Sequence, residues 1–433
     1  MDLKYPRGVR DLMPNEAIFR EELILKIKEI FQNFGFYPID TPIFESLDVL
    51  FAKNAIGNES KLIYKIEGNE LGLRYDHTVS LARFFAMHQE VQLPFKRYMI
   101  DKIWRKEEPQ KMRYREIMQA DIDIIGGNEL YADAEVLAAI SSALEKLNIK
   151  YELHLNNRQI LDIFLETIGI TMQDSNHTLL NNIMRIIDKL DKLDADKVTD
   201  LLNELNLGEE KVNQIMNFIN FSGTNKAKLT YLQDILKENG TQLIKKIKDL
   251  LDLFKEYKLN CDPILDFSIV RGLDYYTSTI FEFKLSEGAS KSSIAAGGRY
   301  DKLISVYTNK NVPAVGASIG INRIMDYLNY SNSKKFTYSD VYIAYIKPEN
   351  YEYAVNTATL LRNAGISADL NISDKNLSNQ LHHASMLNFK LAVIIGHNEQ
   401  AANQVTVRNF ETGAEEKVKL EELINFINKK IID

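Results

Sequence analysis

RYMIDKIWRKEEPQKMRYREIMQADIDIIGG, residues Arg97 to Gly127, is the stretch that decides the fold. Arg97 to Arg105 carries Tyr, Ile and Trp, side chains that fit a pleated strand. Lys106 to Met112 is charged and contains Pro109, the composition of a turn. Arg113 to Ile125 alternates. Arg113, Arg115, Gln119, Asp121 and Asp123 fall on one face and Ala120, Ile122 and Ile124 on the other, because successive strand side chains point to opposite faces. The expectation is a two-stranded hairpin with a charged loop. A polar strand face is ordinarily solvated, so the remaining sequence must decide whether this one faces water or a ligand.

Composition narrows the choice. A chain of 433 residues has room for two or three domains with ample core. Its hydrophobic (45%) and charged (26%) fractions are those of an ordinary soluble globular protein. No apolar run approaches the roughly 18 residues of a membrane span. The opening MDLKYPRGVRDLMPNE has no signal-peptide core, so a cytoplasmic protein is expected. The single cysteine, Cys261, excludes an internal disulfide and a cysteine-based zinc cluster. A net charge of −7 argues against a protein that coats nucleic acid non-specifically. Positive charge is nevertheless concentrated from Lys96 to Arg115, which holds eight Lys/Arg against three Asp/Glu.

Around that stretch the spacing predicts a helix over about 16–34, ended by Gly35, then extended chain from Tyr37 to Phe44, since residues before Pro38 and Pro42 are pushed out of the helical region. LFAKNAIG reads as a short helix and turn, Leu62 to Ile66 and Leu71 to Tyr75 as a hairpin, and Thr78 to Met87 as a helix burying Val79, Phe84 and Phe85. Tyr131 to Leu147 reads as a helix and Tyr151 to Leu155 as a strand. From about Met172 to Lys258 the chain lacks proline and keeps helical spacing throughout, the pattern of an inserted helical domain. Strand-like sequence returns at Ile264. PAVGASIGINRIMDYL reads as a strand entering a helix, and 331–337 as a polar linker. From about Ser339 strands and helices alternate, which suggests a compact α/β domain.

Candidate chemistry follows two themes. The first is arginine in strand or turn settings: Arg105 and Arg113 flank the charged loop, Arg271 stands at the glycine turn of IVRGLDYY, and Arg323 opens the helix after PAVGASIG. An isolated arginine is usually a surface residue. Four in contexts rich in Gly and Tyr suit carboxylate or phosphate oxygens, which the guanidinium fork matches. The second theme is acids and amides near aromatics: Asp76, Gln119, Asp123, Tyr275 and Tyr276. Each alone is weak, and the tyrosines alone would pass for core residues. Together they fit a small cationic or hydrogen-bonding ligand. No Walker loop, HExxH or GxSxG pattern occurs. His382 and His383 are adjacent and are expected on an exposed helix.

These residues resemble the histidyl family of class II aminoacyl-tRNA synthetases. Arg105, Glu107, Pro109, Gln110, Arg113, Tyr114, Arg115 and Glu116 are similar to that family's motif 2. LRYDHT (73–78) resembles a segment in the form common to archaeal and eukaryotic members. VRGLDYYTSTIFEF and AAGGRYDKL resemble the two histidine-specific motifs, PAVGASIGINRI motif 3, and YPRGVRDLMP the family's usual opening. The resemblance implies an α+β catalytic domain built on an antiparallel sheet flanked by helices, in two parts (1–171 and 259–330). A helical insertion (172–258) interrupts it, and a C-terminal α/β anticodon-binding domain (338–433) follows. It implies activation of L-histidine by ATP with Mg²⁺, then transfer to the 3′ end of tRNA(His), in a homodimer with Pro42 at the interface. Arg105 would contact the α-phosphate, Arg113 and Arg323 the outer phosphates, and Glu107 the adenine amine. Arg271 would bridge carboxylate and α-phosphate. Asp76 and Thr78 would receive the substrate ammonium, with Gln119, Asp123, Tyr275 and Tyr276 framing the ligand. The resemblance leaves the metal ligands unknown.

The sequence departs from the family at three places. Met112 stands where a glycine often precedes the second motif 2 arginine, and Ala317 where motif 3 usually has an aromatic residue. NLSNQLHHAS (376–385) lacks the lysines of the usual anticodon-domain helix, and 338–433 holds nine Lys/Arg against twelve Asp/Glu. A modest electrostatic grip on the anticodon arm is expected, with base contacts and stacking carrying more. Two other readings stay open. One is a catalytically silent paralogue that regulates ATP phosphoribosyltransferase, a class that tends to lose the arginine of RGLDYY and the anticodon domain. The other is a class II synthetase for a different amino acid, which the histidine-specific motifs oppose.

Overall fold

A computed structural model describes residues 3–52, 57–110, 112–170, 177–191, 193–270, 275–287, 293–308, 310–329 and 335–432. The chain divides into two compact units, Met1–Arg10 with Leu23–Asp326, and Asp11–Glu22 with Tyr327–Asp433. Helix α1 (Pro14–Asn33) belongs to both. In the first unit follow β1 (Tyr37–Pro38), β2 (Phe44–Ser46), α2 (Leu47–Leu50), β3 (Leu71–Leu73), α3 (Thr78–Met87), β4 (Phe95–Trp104), β5 (Glu116–Ile125), α4 (Glu129–Lys146), β6 (Tyr151–Asn157) and α5 (Arg158–Thr167). Then come α6 (His177–Ile187), α7 (Ala195–Asn203), α8 (Glu209–Ile219), α9 (Asn225–Lys255), β7 (Ile264–Leu265), β8 (Thr279–Leu285), β9 (Ser293–Arg299), α10 (Asp301–Tyr307), β10 (Ala314–Gly320) and α11 (Ile321–Tyr327).

Eight strands form one sheet in the order β1-β4-β5-β10-β9-β8-β6-β7. Pairing is antiparallel from β4 to β6 and parallel only at the edges, β1 on β4 and β7 on β6. The opening stretch is the hairpin β4–β5, in register from Phe95 opposite Ile125 to Trp104 opposite Glu116. Its apolar face, Ala120, Ile122 and Ile124, is buried. Helix α4 covers that side of the sheet with a row of small and branched residues, among them Ala134, Val136 and Ala138. Asp121 and Asp123 on the opposite face are buried as well, at 4% and 2% exposure. The polar face is therefore not the solvated side of a sheet.

Several local expectations change. Strand β5 starts at Glu116, so Arg113 and Arg115 lie outside the alternation. Arg115 leaves the face because its N–H bonds the Gly8 carbonyl (2.8 Å) and its Nε the Glu107 carbonyl (2.8 Å). The hairpin expected over 62–75 forms as a short ladder, with Ile66 N–H to the Leu71 carbonyl and Leu73 N–H to the Tyr64 carbonyl (both 2.9 Å) about the bridge of Lys65 and Gly72, and β3 pairs on its other edge with the distant β2. Helix α3 has the expected bounds, with Val79 and Phe85 buried and Phe84 half-buried. The described residues from 177 to 255 are helices and short connections, and within α9 Lys237 breaks the helical backbone at φ +50°. The polar segment 331–334 lies outside the described residues.

The second unit holds a five-stranded sheet, β12-β11-β13-β14-β15, built from β11 (Val341–Tyr345), β12 (Ala368–Leu370), β13 (Leu391–Ile395), β14 (Gln404–Asn409) and β15 (Glu415–Lys419). β11 pairs in parallel with β12 and β13, and β13, β14 and β15 run antiparallel. Alternation along β11 sends Val341 and Ile343 to a core shared with Ala354, Ala358 and Leu361 of α12 (Tyr351–Asn363). It sends Tyr342 and Ala344 to the other face, against Ala384 of α13 (Leu377–Met386). His382 and His383 are exposed on α13, as expected. β15 and the short helix α14 (His397–Ala401) were not expected, and the chain closes with α15 (Leu423–Ile432).

Candidate functional site

The polar face of the sheet is the floor of one cavity of about 1100 Å³. That is more than a single small ligand fills, since such sites usually span about 300–1000 Å³. Asp76, Thr78, Arg105, Glu107, Arg113, Gln119, Asp123, Tyr275, Tyr276 and Arg323 all line it. Every expected site residue is therefore brought together except Arg271, which lies outside the described residues together with Gly272, Leu273 and Asp274.

Three arginines line the cavity, Arg105, Arg113 and Arg323. Arg105 leaves the end of β4, lays its guanidinium over the Tyr75 ring at 4.5 Å and donates from Nε to the Tyr75 carbonyl at 3.3 Å. Such stacking fixes the plane of the fork before any ligand arrives. Arg113 follows a tight turn closed by Gln110 N–H to Arg113 O (3.3 Å) and Arg113 N–H to Gln110 O (2.9 Å). Met112, inside that turn, has φ +62°. The departure from glycine thus falls on a left-handed residue, where an L side chain costs about 1–2 kcal/mol. Next in sequence, the Tyr114 hydroxyl donates to Asp326 of α11 (2.8 and 3.0 Å) and receives the Arg10 guanidinium over its ring at 4.5 Å. This contact ties the loop to the helix that carries Arg323, whose Nη1 donates to the Ser293 carbonyl.

Among the acids, Asp76 stands near enough to Arg105 for each to favour the other's charge. Asp76 Oδ1 accepts the Val79 N–H at 2.9 Å at the start of α3, while its Oδ2 is buried with no hydrogen-bond partner among the described residues. Burial raises its carboxyl above the usual carboxylate value, against the pull of the Val79 N–H and Arg105. Arg74 just before it is fully buried and bonds the carbonyls of Thr41 and Lys102 (both 2.8 Å), which holds this segment against β4. Asp123 is committed to the protein: Oδ2 pairs with the buried Arg97 at 2.5 Å, and Oδ1 accepts the Tyr300 hydroxyl. Burial nonetheless pushes its carboxyl up to about 7. Asp121 differs. Burial would raise it, but the His77 imidazole, 3.1 Å away, holds it below the usual value.

Glycine makes the floor possible. A Cβ on Gly316 would stand 1.9 Å from Asp123 Oδ1, and one on Gly297 would stand 2.1 Å from the Gly316 carbonyl. Tyr275 and Tyr276 form the wall, buried and tilted together at 4.9 Å, with Tyr300 edge-on to Tyr275 at 6.0 Å. In the AAGGRYDKL stretch, Arg299 is 1% exposed and holds Asp133, Asp301 (3.0 Å) and the Glu129 carbonyl (3.0 Å) away from the cavity, while Ala295, Ala296 and Tyr300 of the same stretch line it. Ala317 lines the cavity where an aromatic side chain was usual in the resembling family.

Sequence reasoning missed Tyr75, His77, Arg97, Asp121 and Tyr300. Arg97 and Asp123 had a signal, since equal strand arms about the loop place them opposite one another. His77, Tyr75 and Tyr300 had none, because their partners lie far away in the chain.

The family model described as Histidyl-tRNA synthetase matches residues 8–324, and that described as Anticodon binding domain matches residues 340–430. A histidine–tRNA ligase of Korarchaeum cryptofilum is 35% identical over 436 residues, covering 98% of this chain and 98% of the relative. One from Finegoldia magna is 35% identical over 431 residues, covering 96% and 97%. The crystal structure of histidyl-tRNA synthetase from Nostoc superposes with a TM-score of 0.85 at 27% identity, covering 99% of this chain and 100% of that one. A Bacillus halodurans structure described as an ATP phosphoribosyltransferase regulatory subunit/histidyl-tRNA synthetase shares the fold, with a TM-score of 0.75 at 19% identity over 91% of this chain and 98% of that one.

Proposed function

The chain belongs to the histidyl-tRNA synthetase family, and from that premise we propose how its cavity carries out the reaction. The chain activates L-histidine with ATP to histidyl-adenylate and transfers the histidine to tRNA. The observation that carries the site reading is the gathering of the cationic and the acidic residues in one cavity large enough for both substrates.

In this reading Arg105 meets the α-phosphate, Arg113 and Arg323 the outer phosphates, and Glu107 the adenine amine. Asp76 and Thr78 receive the histidine ammonium. Gln119, Tyr275 and Tyr276 frame the ligand, and Asp123, through its bonds to Arg97 and Tyr300, fixes the wall beside it. Two anions, carboxylate and phosphate, repel unless cations stand ready. An Arg105 fork already stacked and bonded needs no reorganisation as charge builds on phosphorus. Arg271 is assigned the bridge between carboxylate and α-phosphate on resemblance alone. Arg271→Ala is expected to lower adenylate formation by at least ~10² while histidine still binds.

Mg²⁺ is assigned to the ATP phosphates. No group of three or more His, Cys, Asp or Glu suited to a metal occurs among the described residues. This ion is commonly held by phosphates with one or two carboxylates. Glu282 is assigned as a carboxylate near those phosphates; it accepts from Ser293 Oγ at 2.8 Å and pairs with Lys284 at 3.5 Å, and the Ser293 carbonyl accepts from Arg323. The helices of 172–258 are assigned as an insertion that contacts tRNA(His), and 338–433 as the anticodon-binding domain, in line with the family match over 340–430. A homodimer is assigned to the exposed apolar strip of Tyr37, Ile43 and Phe44 beside Pro42. A cytoplasmic place follows the single cysteine, and no described helix is long and apolar enough to cross a membrane. The regulatory-paralogue reading is not favoured, since ligase relatives align over nearly the whole chain and the anticodon domain is present.

ATP–pyrophosphate exchange with each amino acid in turn tests the specificity. Histidine alone is expected to support exchange. Exchange driven by another amino acid would overturn the substrate, and no exchange would overturn the enzyme.

A further inference from the structure

Behind the cavity lies a pair that the reaction as described does not use. His77 is fully buried, and its Nδ1 bonds Asp121 Oδ2 at 3.1 Å, joining the start of α3 to the middle of β5. His77 Nε2 has no partner among the described residues. Asp121 lines the cavity, and His77 does not. Asp121 Oδ1 is buried without a hydrogen-bond partner among the described residues, although the Ser318 hydroxyl stands near enough to favour its charge.

Asp76 repeats this arrangement. One oxygen is bound by Val79 N–H, and the other, Oδ2, is buried and unpartnered in the same cavity. The two carboxylates are close enough for the charge on Asp121 to disfavour that on Asp76. Two buried, unpartnered carboxylate oxygens on residues that line one cavity call for a ligand with at least two hydrogen-bond donors and a positive charge. An ammonium offers three donors. Gln119 lies on the same face of β5, one pleat from Asp121, and can supply the third acceptor.

We propose that Asp121, held in orientation by His77, is a second carboxylate for the substrate ammonium beside Asp76. The proposal rests on the reading of this cavity as the histidine site. Asp121 touches the ligand, and His77 is a positioning residue that acts through it. His77 holds one Asp121 oxygen, Oδ2, which leaves Oδ1 for the ligand.

The test is calorimetric titration of the full chain, in a chelator so that no metal contributes, with two probes: histidine and its deaminated acid, which keeps imidazole and carboxylate. Asp121→Asn is expected to weaken histidine about 10-fold to 100-fold, the range of one charge-assisted bond, and to move the deaminated acid less than about twofold. His77→Ala should weaken histidine in the same selective way. His77→Asn, which keeps an N–H near the Nδ1 position, should restore binding. Asp121→Asn binding histidine like the wild type would overturn the proposal. So would an equal loss of both probes, which marks a merely structural residue. Failure of the wild type to bind histidine would instead sink the reading of the cavity.

Discussion

Gly316→Ala is the sharpest perturbation of the cavity floor. Gly316 pairs with Asp123 across β10 and β5, and its added Cβ would stand 1.9 Å from Asp123 Oδ1 and 2.6 Å from Cγ. Ordinary contact begins at 3.4 Å, so the carboxylate has to retreat by about 1.5 Å. It has nowhere equivalent to go, because Arg97 and Tyr300 already bind its two oxygens and it is 2% exposed. Overpacking costs about 1–3 kcal/mol, and parting a buried ion pair about 3–5 kcal/mol. Both arise from one displacement, so the larger sets the scale, against a total stability of about 5–15 kcal/mol. Gly320→Ala on the same strand is the control. Its Cβ meets nothing closer than the Ile294 carbonyl at 3.5 Å, and removing a glycine there should be neutral or stabilising by about 0.4–1 kcal/mol. Urea unfolding followed by fluorescence of the single tryptophan, Trp104 in β4, reports on this unit alone. Equal unfolding midpoints for the two variants would refute the reasoning.

Three further outcomes are expected. The Asp123 carboxyl sits at about 7 in the folded chain against an ordinary 3.8, so the folded state holds a proton that the unfolded state has released. That stability is present below about pH 4 and is lost as pH rises towards 7; Asp123→Asn should flatten the wild-type decline measured by urea unfolding between pH 5.5 and 8. Asp326→Ala removes the acceptor of the Tyr114 hydroxyl. It should raise the KM for ATP about tenfold, leaving that for histidine unmoved, with Asp326→Asn close to wild type; an unchanged ATP KM would show that the clamp does not position the loop. At Met112, with φ +62°, glycine should be accepted and valine resisted, since a β-branched residue there is a steric outlier. Equal kcat/KM for ATP in Met112→Gly and Met112→Val would count against this turn.

The sequence made the periodic parts of this molecule readable. The β4–β5 hairpin, α3 and the alternation of the second unit follow from runs whose apolar spacing matches the element they form. The pairing of β3 with β2 was not readable, because nothing local points to a second partner 27 residues away besides the adjacent segment 62–66. The exposed strand EEKVK was missed since an edge strand with four charged residues has no apolar face to reveal it. In the site, residue types pointed to residues that line one cavity, but the buried charges behind it did not show. Arg299 finds Asp133 across 166 positions, and His77 finds Asp121 across 44. Such pairs depend on tertiary contact alone. The glycine departure at Met112 was visible, while its physical meaning, a left-handed residue in the turn before Arg113, needed the backbone.

The central claim is that this cavity joins a carboxylate to a phosphate under preorganised arginine, and Arg105 is its most exposed point. Single-turnover formation of histidyl-adenylate from histidine and ATP, measured for wild type and Arg105→Ala alongside histidine binding, tests it directly. Adenylate formation is expected to fall by ~10²–10³ with histidine affinity held within about threefold. A variant that forms adenylate at a near-normal rate would contradict the account.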